Sequence, residues 1–120
     1  MRRFLIAASV LGLSALPAVA ADDMMAGYYG NTVVATSPMG ESHTWYNADH
    51  TFETKLMSYD LKGKWSIDDK GQLCRNYDAP PPGLPNPLCT AWEAHKAGDK
   101  WTVTTGNGQT RDISLVKGQV

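Results

Sequence analysis

Short runs of alternating apolar and polar residues run through the chain from residue 30 onwards, and they constrain its fold most strongly. The segment TFETKLMSY places Phe52 and Leu56 on one face and Glu53 on the other, and KWTVTT separates Trp101 from Lys100 in the same way. Side chains of a β-strand point alternately to opposite faces, so a period of two indicates strands with one buried face. Antiparallel sheets with one solvated face have this pattern.

Residues typical of tight turns separate these runs at regular intervals. Asp68–Gly71 ends in glycine, Ala97–Asp99 has glycine at its centre, and Asn107-Gly108 suits a two-residue hairpin turn. Eight strands are therefore predicted, near residues 30–36, 42–48, 51–59, 62–68, 71–77, 89–96, 100–105 and 109–117. Such a series predicts an all-β fold, a small antiparallel up-and-down barrel of seven or eight strands. A seven-stranded sandwich or a half-open barrel is the alternative.

The first 20 residues have the layout of a secretory signal peptide. A basic start with Arg2 and Arg3 precedes an apolar run over residues 4–16, and small residues end at Ala20. The apolar run is shorter than the ~20 residues that span a bilayer. We therefore predict a signal peptide at 1–20, an N-terminal arm at 21–29 and one β-barrel domain at 30–120. The expected location is the periplasm of a Gram-negative bacterium, or the outside of the cell if the protein is secreted.

Charge argues against several classes of partner. Removing Arg2 and Arg3 with the predicted signal leaves nine basic and twelve acidic residues, a net charge near −3. The chain shows no basic stripe of the kind that binds nucleic acid. It shows no basic amphipathic helix for a membrane surface either. We expect no nucleic-acid partner and no membrane span in the mature chain.

The chain has two cysteines, in the stretch CRNYDAPPPGLPNPLC. Cys74 and Cys89 are too far apart for a C-x-x-C redox motif, and in an exported chain they predict a disulfide. The loop between them holds five of the seven prolines and is either a rigid connector or a surface that docks to a partner. Its candidate partner residues are Tyr77, Pro80, Pro81, Pro82, Leu84 and Pro85.

Short glycine, aromatic and cysteine patterns resemble those of a known group of proteins. They are GNTVV from Gly30, a D-x-T-F turn from Asp49, GKW from Gly63 and GQLC from Gly71, and they cover about half of the mature chain. In this order they resemble small exported proteobacterial lipocalin-like β-barrel proteins of unknown function, such as the DUF995 group. The resemblance implies a barrel, a periplasmic address and a disulfide, and no catalytic residues. His50 departs from it, because glycine is usual there.

Metal binding is a weaker hypothesis. Histidine and methionine are soft ligands suited to copper, and His43 and His50 flank a predicted hairpin where they could approach each other. No pair has the spacing of a strong metal motif. We therefore predict no metal site and no cofactor, and retain His43 and His50 as the candidates.

Catalysis receives little support from the sequence. The chain has no nucleophile elbow, zinc-protease motif or phosphate loop. The prediction is therefore an exported, non-catalytic cell-envelope β-barrel protein that binds a small ligand or a protein partner. A ligand binder needs an interior that side chains leave partly unfilled. Two alternatives stay open: a protease-inhibitor-like protein acting through the arm at 21–29, as a weaker likeness to periplasmic barrel inhibitors implies, and a Met/His metal-binding protein.

Overall fold

The computed structural model describes residues 24–38, 40–104 and 108–120, which form a single antiparallel sheet curled into a half-barrel. The predicted signal peptide at 1–20 and the first residues of the arm lie outside the described residues. The strands are β1 (Thr32–Ser37), β2 (Gly40–Tyr46), β3 (Thr51–Leu56), β4 (Tyr59–Ile67), β5 (Gln72–Tyr77), β6 (Leu88–Ala91), β7 (Lys100–Thr104) and β8 (Thr110–Val116). The predicted all-β fold with eight strands, consistent with a small up-and-down barrel, is confirmed.

The first strand, β1, pairs with the last strand, β8, and the two edges of the sheet are β6 and β7. The strand order is β6-β5-β4-β3-β2-β1-β8-β7, and β1 pairs with β8 with Val33 opposite Leu115. Within the described part of the chain, β6 and β7 share no ladder. We call this gap the seam, and the connection Trp92–Asp99 the seam segment. The seam makes the fold a half-open barrel.

One face of the curled sheet forms the interior, as the alternation predicts. Directly paired residues share a face, and the pairs Tyr46–Phe52 and Val33–Leu115 place these four side chains inside. Phe52, Trp65, Leu73 and Leu115 are each at most 2 % exposed. Glu53 and Lys55 alternate with Phe52 and face outwards.

The interior is filled at one end only. The buried cluster consists of Met25, Tyr28, Val33, Tyr46, Phe52, Trp65, Leu73 and Leu115. Its strand residues lie near the turns after β2 and β4 and near the seam segment, so we call this the closed end. At the opposite, open end, Leu56 and Leu61 are half-buried, and Tyr59 is exposed. The residues at both ends belong to the same inner face.

A short N-terminal turn covers the closed end. Met24–Ala26 are helical, and Met25 and Tyr28 are fully buried. Asn31 holds the turn in place, because its Nδ2 donates to the Gly27 carbonyl at 2.8 Å and its Oδ1 accepts from the Gly118 amide at 3.0 Å. The described part of the predicted arm is thus a component of the core. No helix of the described residues is long and apolar enough to span a bilayer.

Two strand boundaries differ from those expected. A strand was predicted over 89–96, but β6 ends at Ala91, which pairs with Gln72 at the very start of β5. No partner strand continues beyond that point, so the chain leaves the sheet. The predicted strand 51–59 is interrupted at Met57 and Ser58, which form a two-residue turn with Met57 at φ 56°. Neither residue is a usual turn former, so the sequence gives little sign of this hairpin.

The two cysteines form a disulfide, as predicted. Cys74 on β5 lies directly opposite Cys89 on β6, and the bond closes a loop with a sequence separation of 15. Asn86 closes the same loop non-covalently, since its Oδ1 accepts from the Tyr77 amide at 2.8 Å. A disulfide is compatible with an extracytoplasmic location.

Candidate functional site

A charged side chain lies on the inner face of β5, where the alternation would place an apolar one. Leu73, Arg75 and Tyr77 all point inwards, opposite Ile67, Trp65 and Gly63 of β4. The Arg75 guanidinium carbon lies 5.9 Å from the ring centroid of Tyr46 and 5.3 Å from that of Trp92. Contacts of this kind with aromatic faces are favourable for a cation.

The hydrogen bonds of Arg75 leave part of the guanidinium unused. Its Nε donates to the Tyr46 hydroxyl at 2.9 Å, and its Nη1 donates to the Thr90 hydroxyl at 3.4 Å. The second terminal nitrogen, Nη2, has no hydrogen bond to a described residue. No described aspartate or glutamate forms an ion pair with Arg75. The positive charge therefore has no counter-charge in the described part of the chain.

The neighbouring tyrosines do not supply a negative charge. Burial raises the pKa of the Tyr28 hydroxyl, and burial also raises the pKa of Tyr77. Burial lowers the pKa of the Arg75 guanidinium, but Tyr46 and the other nearby tyrosines together raise it by more, so its net pKa is above the ordinary value. Arg75 is therefore charged at neutral pH, and the hydroxyls of Tyr28 and Tyr77 stay protonated beside it.

Trp92 provides a second unused donor beside the guanidinium. Its ring packs on Tyr28 at a centroid distance of 5.2 Å and edge-on against Tyr46 at 5.7 Å. The indole nitrogen Nε1 is buried and has no hydrogen-bond partner among the residues that the structure describes. Buried N–H groups almost always have an acceptor. We call Tyr28, Tyr46, Arg75, Thr90 and Trp92 the Arg75 cluster.

The seam segment fixes the position of Trp92. The Tyr28 hydroxyl donates to the Glu93 carbonyl at 2.9 Å, two residues before His95. The His95 ring stacks on Trp101 of β7 with a centroid distance of 3.5 Å, and its Nδ1 lies 3.1 Å from the Asp99 carboxylate. The N-terminal turn and β7 are thereby tied to the seam segment at the closed end, although β6 and β7 share no ladder.

The candidate partner residues of the proline loop lie at the open end. Tyr77 is half-buried and contacts Phe52 edge-on, whereas Pro80, Pro82 and Pro85 are exposed. Pro81 and Leu84 are half-buried, and the Leu84 amide donates to the Pro81 carbonyl at 3.3 Å. The structure therefore presents most of the predicted loop to solvent.

The two histidine candidates for a metal site do not come together. His43 contacts Glu41 and the Val120 carbonyl, and His50 stacks on Trp65 with a centroid distance of 4.1 Å. Among the described residues, the group of potential metal ligands that lies close together is Asp68, Cys74 and Cys89. Both of its sulfurs are in the disulfide, so they are not available as thiolate ligands.

Two clefts lie on the outer face of the sheet. One, of about 360 Å³, involves Lys100, Thr102 and Asp112 on β7 and β8, and the other, of about 250 Å³, lies between Trp45 and the residues near Val120. Both are shallow, and neither includes the Arg75 cluster.

The chain matches no protein-family model and shows no significant similarity to a curated protein or to a solved structure. The resemblance to DUF995-like barrels stays a prediction. The function of the protein is therefore inferred from the geometry of its own residues.

The sequence reasoning did not single out the Arg75 cluster. One signal was present, because LCRNY places Arg75 in the same alternation as Leu73 and Tyr77. A charged residue at a predicted inner position needs either a partner or a ligand. The contribution of Trp92 could not be foreseen, since it depends on where β6 ends.

The Glu41–His43 pair gives a pH-dependent prediction. The hydrogen bond that the His43 ring donates to the Glu41 carboxylate raises the pKa of His43, and the hydrogen bond to the Val120 carbonyl adds to this shift. A histidine with a raised folded-state pKa contributes stability below its unfolded pKa, and this contribution is lost as the pH rises through the folded value. In an NMR titration of the ring protons, we expect a midpoint above that of an ordinary histidine.

The matched variants for this titration are Glu41→Gln and Asp69→Asn. Both remove one exposed carboxylate, but only Glu41 contacts the His43 ring. Glu41→Gln should lower the His43 midpoint, and Asp69→Asn should leave it in place. An unchanged midpoint in Glu41→Gln would show that the hydrogen bond is not formed in solution.

Proposed function

We propose that the protein is an exported, non-catalytic binding protein of the cell envelope that holds a small ligand on the inner face of its half-barrel. The uneven filling of that face carries the proposal. Aromatic side chains pack the closed end, while Leu56 and Leu61 are only half-buried and Val103 is 38 % exposed at the open end. A concave apolar surface with a few polar groups is the usual form of a ligand site.

A neutral apolar probe tests this proposal. N-phenyl-1-naphthylamine fluoresces strongly when it enters an apolar site, and we expect the protein to bind it. Leu61→Trp should weaken this binding about 10-fold, because the added indole occupies inner-face volume and removes contacts worth ~1.5 kcal/mol.

Lys62→Trp is the matched control for the probe. It adds the same indole one residue further along β4, where side chains face outwards and Lys62 is exposed. Thermal unfolding of both variants checks that they fold. Absence of probe binding by the unmodified protein, or equal weakening by the two variants, would contradict an inner-face site.

A protein partner at the open end is a second candidate. Met57 is 71 % exposed and Tyr59 is 58 % exposed at the β3–β4 turn. The proline loop begins next to this hairpin, where the Asp78 amide donates to the Lys62 carbonyl at 2.9 Å. Exposed apolar residues grouped at one end of a fold are typical of interaction surfaces.

A further inference from the structure

We infer that the Arg75 cluster binds the carboxylate of a small organic acid. This inference rests on the proposed inner-face site and specifies the class of ligand that the site would take. It starts from two unused donors on neighbouring side chains: the Nη2 of Arg75 and the indole nitrogen of Trp92, whose ring centroid lies 5.3 Å from the guanidinium carbon.

The charge of the cluster calls for an anion. Arg75 is half-buried, and no described carboxylate pairs with it. A partly buried cation without a counter-charge favours a bound anion, because Coulomb attraction is stronger there than in bulk water. The hydroxyls of Tyr46 and Thr90 already accept from Arg75, so they hold the guanidinium in place and leave Nη2 for the ligand.

The number of charges favours a carboxylate over a phosphate. One guanidinium and one neutral indole N–H match a singly charged planar group, which accepts well from arginine. A phosphate dianion would retain a negative charge without a partner among aromatic rings, and burying such a charge is unfavourable. Tyr77 is the next inner-face residue of β5 towards the open end, and its half-buried ring suits an apolar body attached to the carboxylate.

Calorimetry and thermal unfolding of the full chain test the inference with named probes. Hexanoate is the carboxylate, 1-hexanol is its neutral counterpart, and inorganic phosphate is the alternative anion. We expect hexanoate to bind and to raise the unfolding temperature, and we expect hexanol and phosphate at equal concentration to do so much less.

Variants of the cluster separate a ligand role from a structural one. Arg75→Gln should weaken hexanoate binding at least ~10-fold, since it removes a charge-assisted hydrogen bond, and Trp92→Phe should weaken it ~5-fold by removing one neutral donor. Lys64→Gln is the control, because it removes a positive charge that is exposed on the outer face of β4, next to the inner-facing Trp65. Without ligand, Arg75→Gln should still fold but unfold at a somewhat lower temperature, because it loses the hydrogen bonds to Tyr46 and Thr90.

Several results would overturn the inference. Equal stabilisation of Arg75→Gln and unmodified protein by hexanoate would place the ligand elsewhere, and phosphate binding without hexanoate binding would exclude the carboxylate class. If N-phenyl-1-naphthylamine binds but hexanoate does not, the inner-face site stands and the carboxylate inference fails. If neither binds, both fail.

Discussion

Gly27→Ala is expected to lower the free energy of unfolding by at least ~3 kcal/mol, more than ordinary overpacking of a core. A Cβ on Gly27 would overlap the backbone carbonyl of His95. Backbone atoms cannot move aside as the end of a flexible side chain can. The N-terminal turn or the seam segment would have to shift, and the contacts of Tyr28 with Trp92 and Glu93 would be lost.

Gly71→Ala separates this overlap from the general effect of replacing a glycine. Gly71 has φ 79° and open space where a Cβ would lie, so the substitution adds backbone strain of about 1 kcal/mol and no overlap. Urea unfolding, followed by tryptophan fluorescence, measures both variants. Equal losses for Gly27→Ala and Gly71→Ala would mean that the turn does not pack tightly against the seam segment.

Removal of the disulfide in the double variant Cys74→Ser/Cys89→Ser is expected to lower the free energy of unfolding by ~3 kcal/mol. Its sequence separation is 15, and closing a loop of this length restricts the unfolded chain by about that amount. Small domains have a total stability of roughly 5–15 kcal/mol, so the loss would be a large fraction. Guanidinium unfolding of both forms gives the difference.

Reduced unmodified protein is the matched control for the double variant. Reduction opens the same loop without changing a side chain's position in the fold, so the two unfolding curves should nearly coincide. A loss below ~1 kcal/mol in both samples would contradict the prediction. It would mean that the loop ends already stay close together in the unfolded chain without the disulfide.

The strands and their faces could be predicted because alternation is a local property of the chain. Trp101 and Val103 share a face in KWTVTT whatever the rest of the molecule does, and the structure has them paired with Ile113 and Arg111 on the inner side. The disulfide was also predictable, since the predicted export and the spacing leave few alternatives for two cysteines. These predictions did not depend on distant contacts.

The candidate site could not be predicted in the same way, because it depends on contacts between distant segments. Trp92 reaches Tyr46 because β6 stops at Ala91, and β6 stops because β5 has no residue before Gln72 to pair with. Tyr28 belongs to a stretch that could equally have been an extended arm. Only the tertiary structure brings these rings around Arg75.

The disulfide makes the two edge strands of the sheet unequal, because it anchors one of them covalently. It joins the four-residue edge strand β6 to β5 at the Cys74–Cys89 pair, so β6 cannot slip in register or peel away without distorting this covalent link. The other edge strand, β7, pairs with β8, and its tie to the seam segment, the stack of Trp101 on His95, is not covalent. Opening motions of the half-barrel should therefore be one-sided, because β7 can move away from the seam more easily than the covalently linked β6.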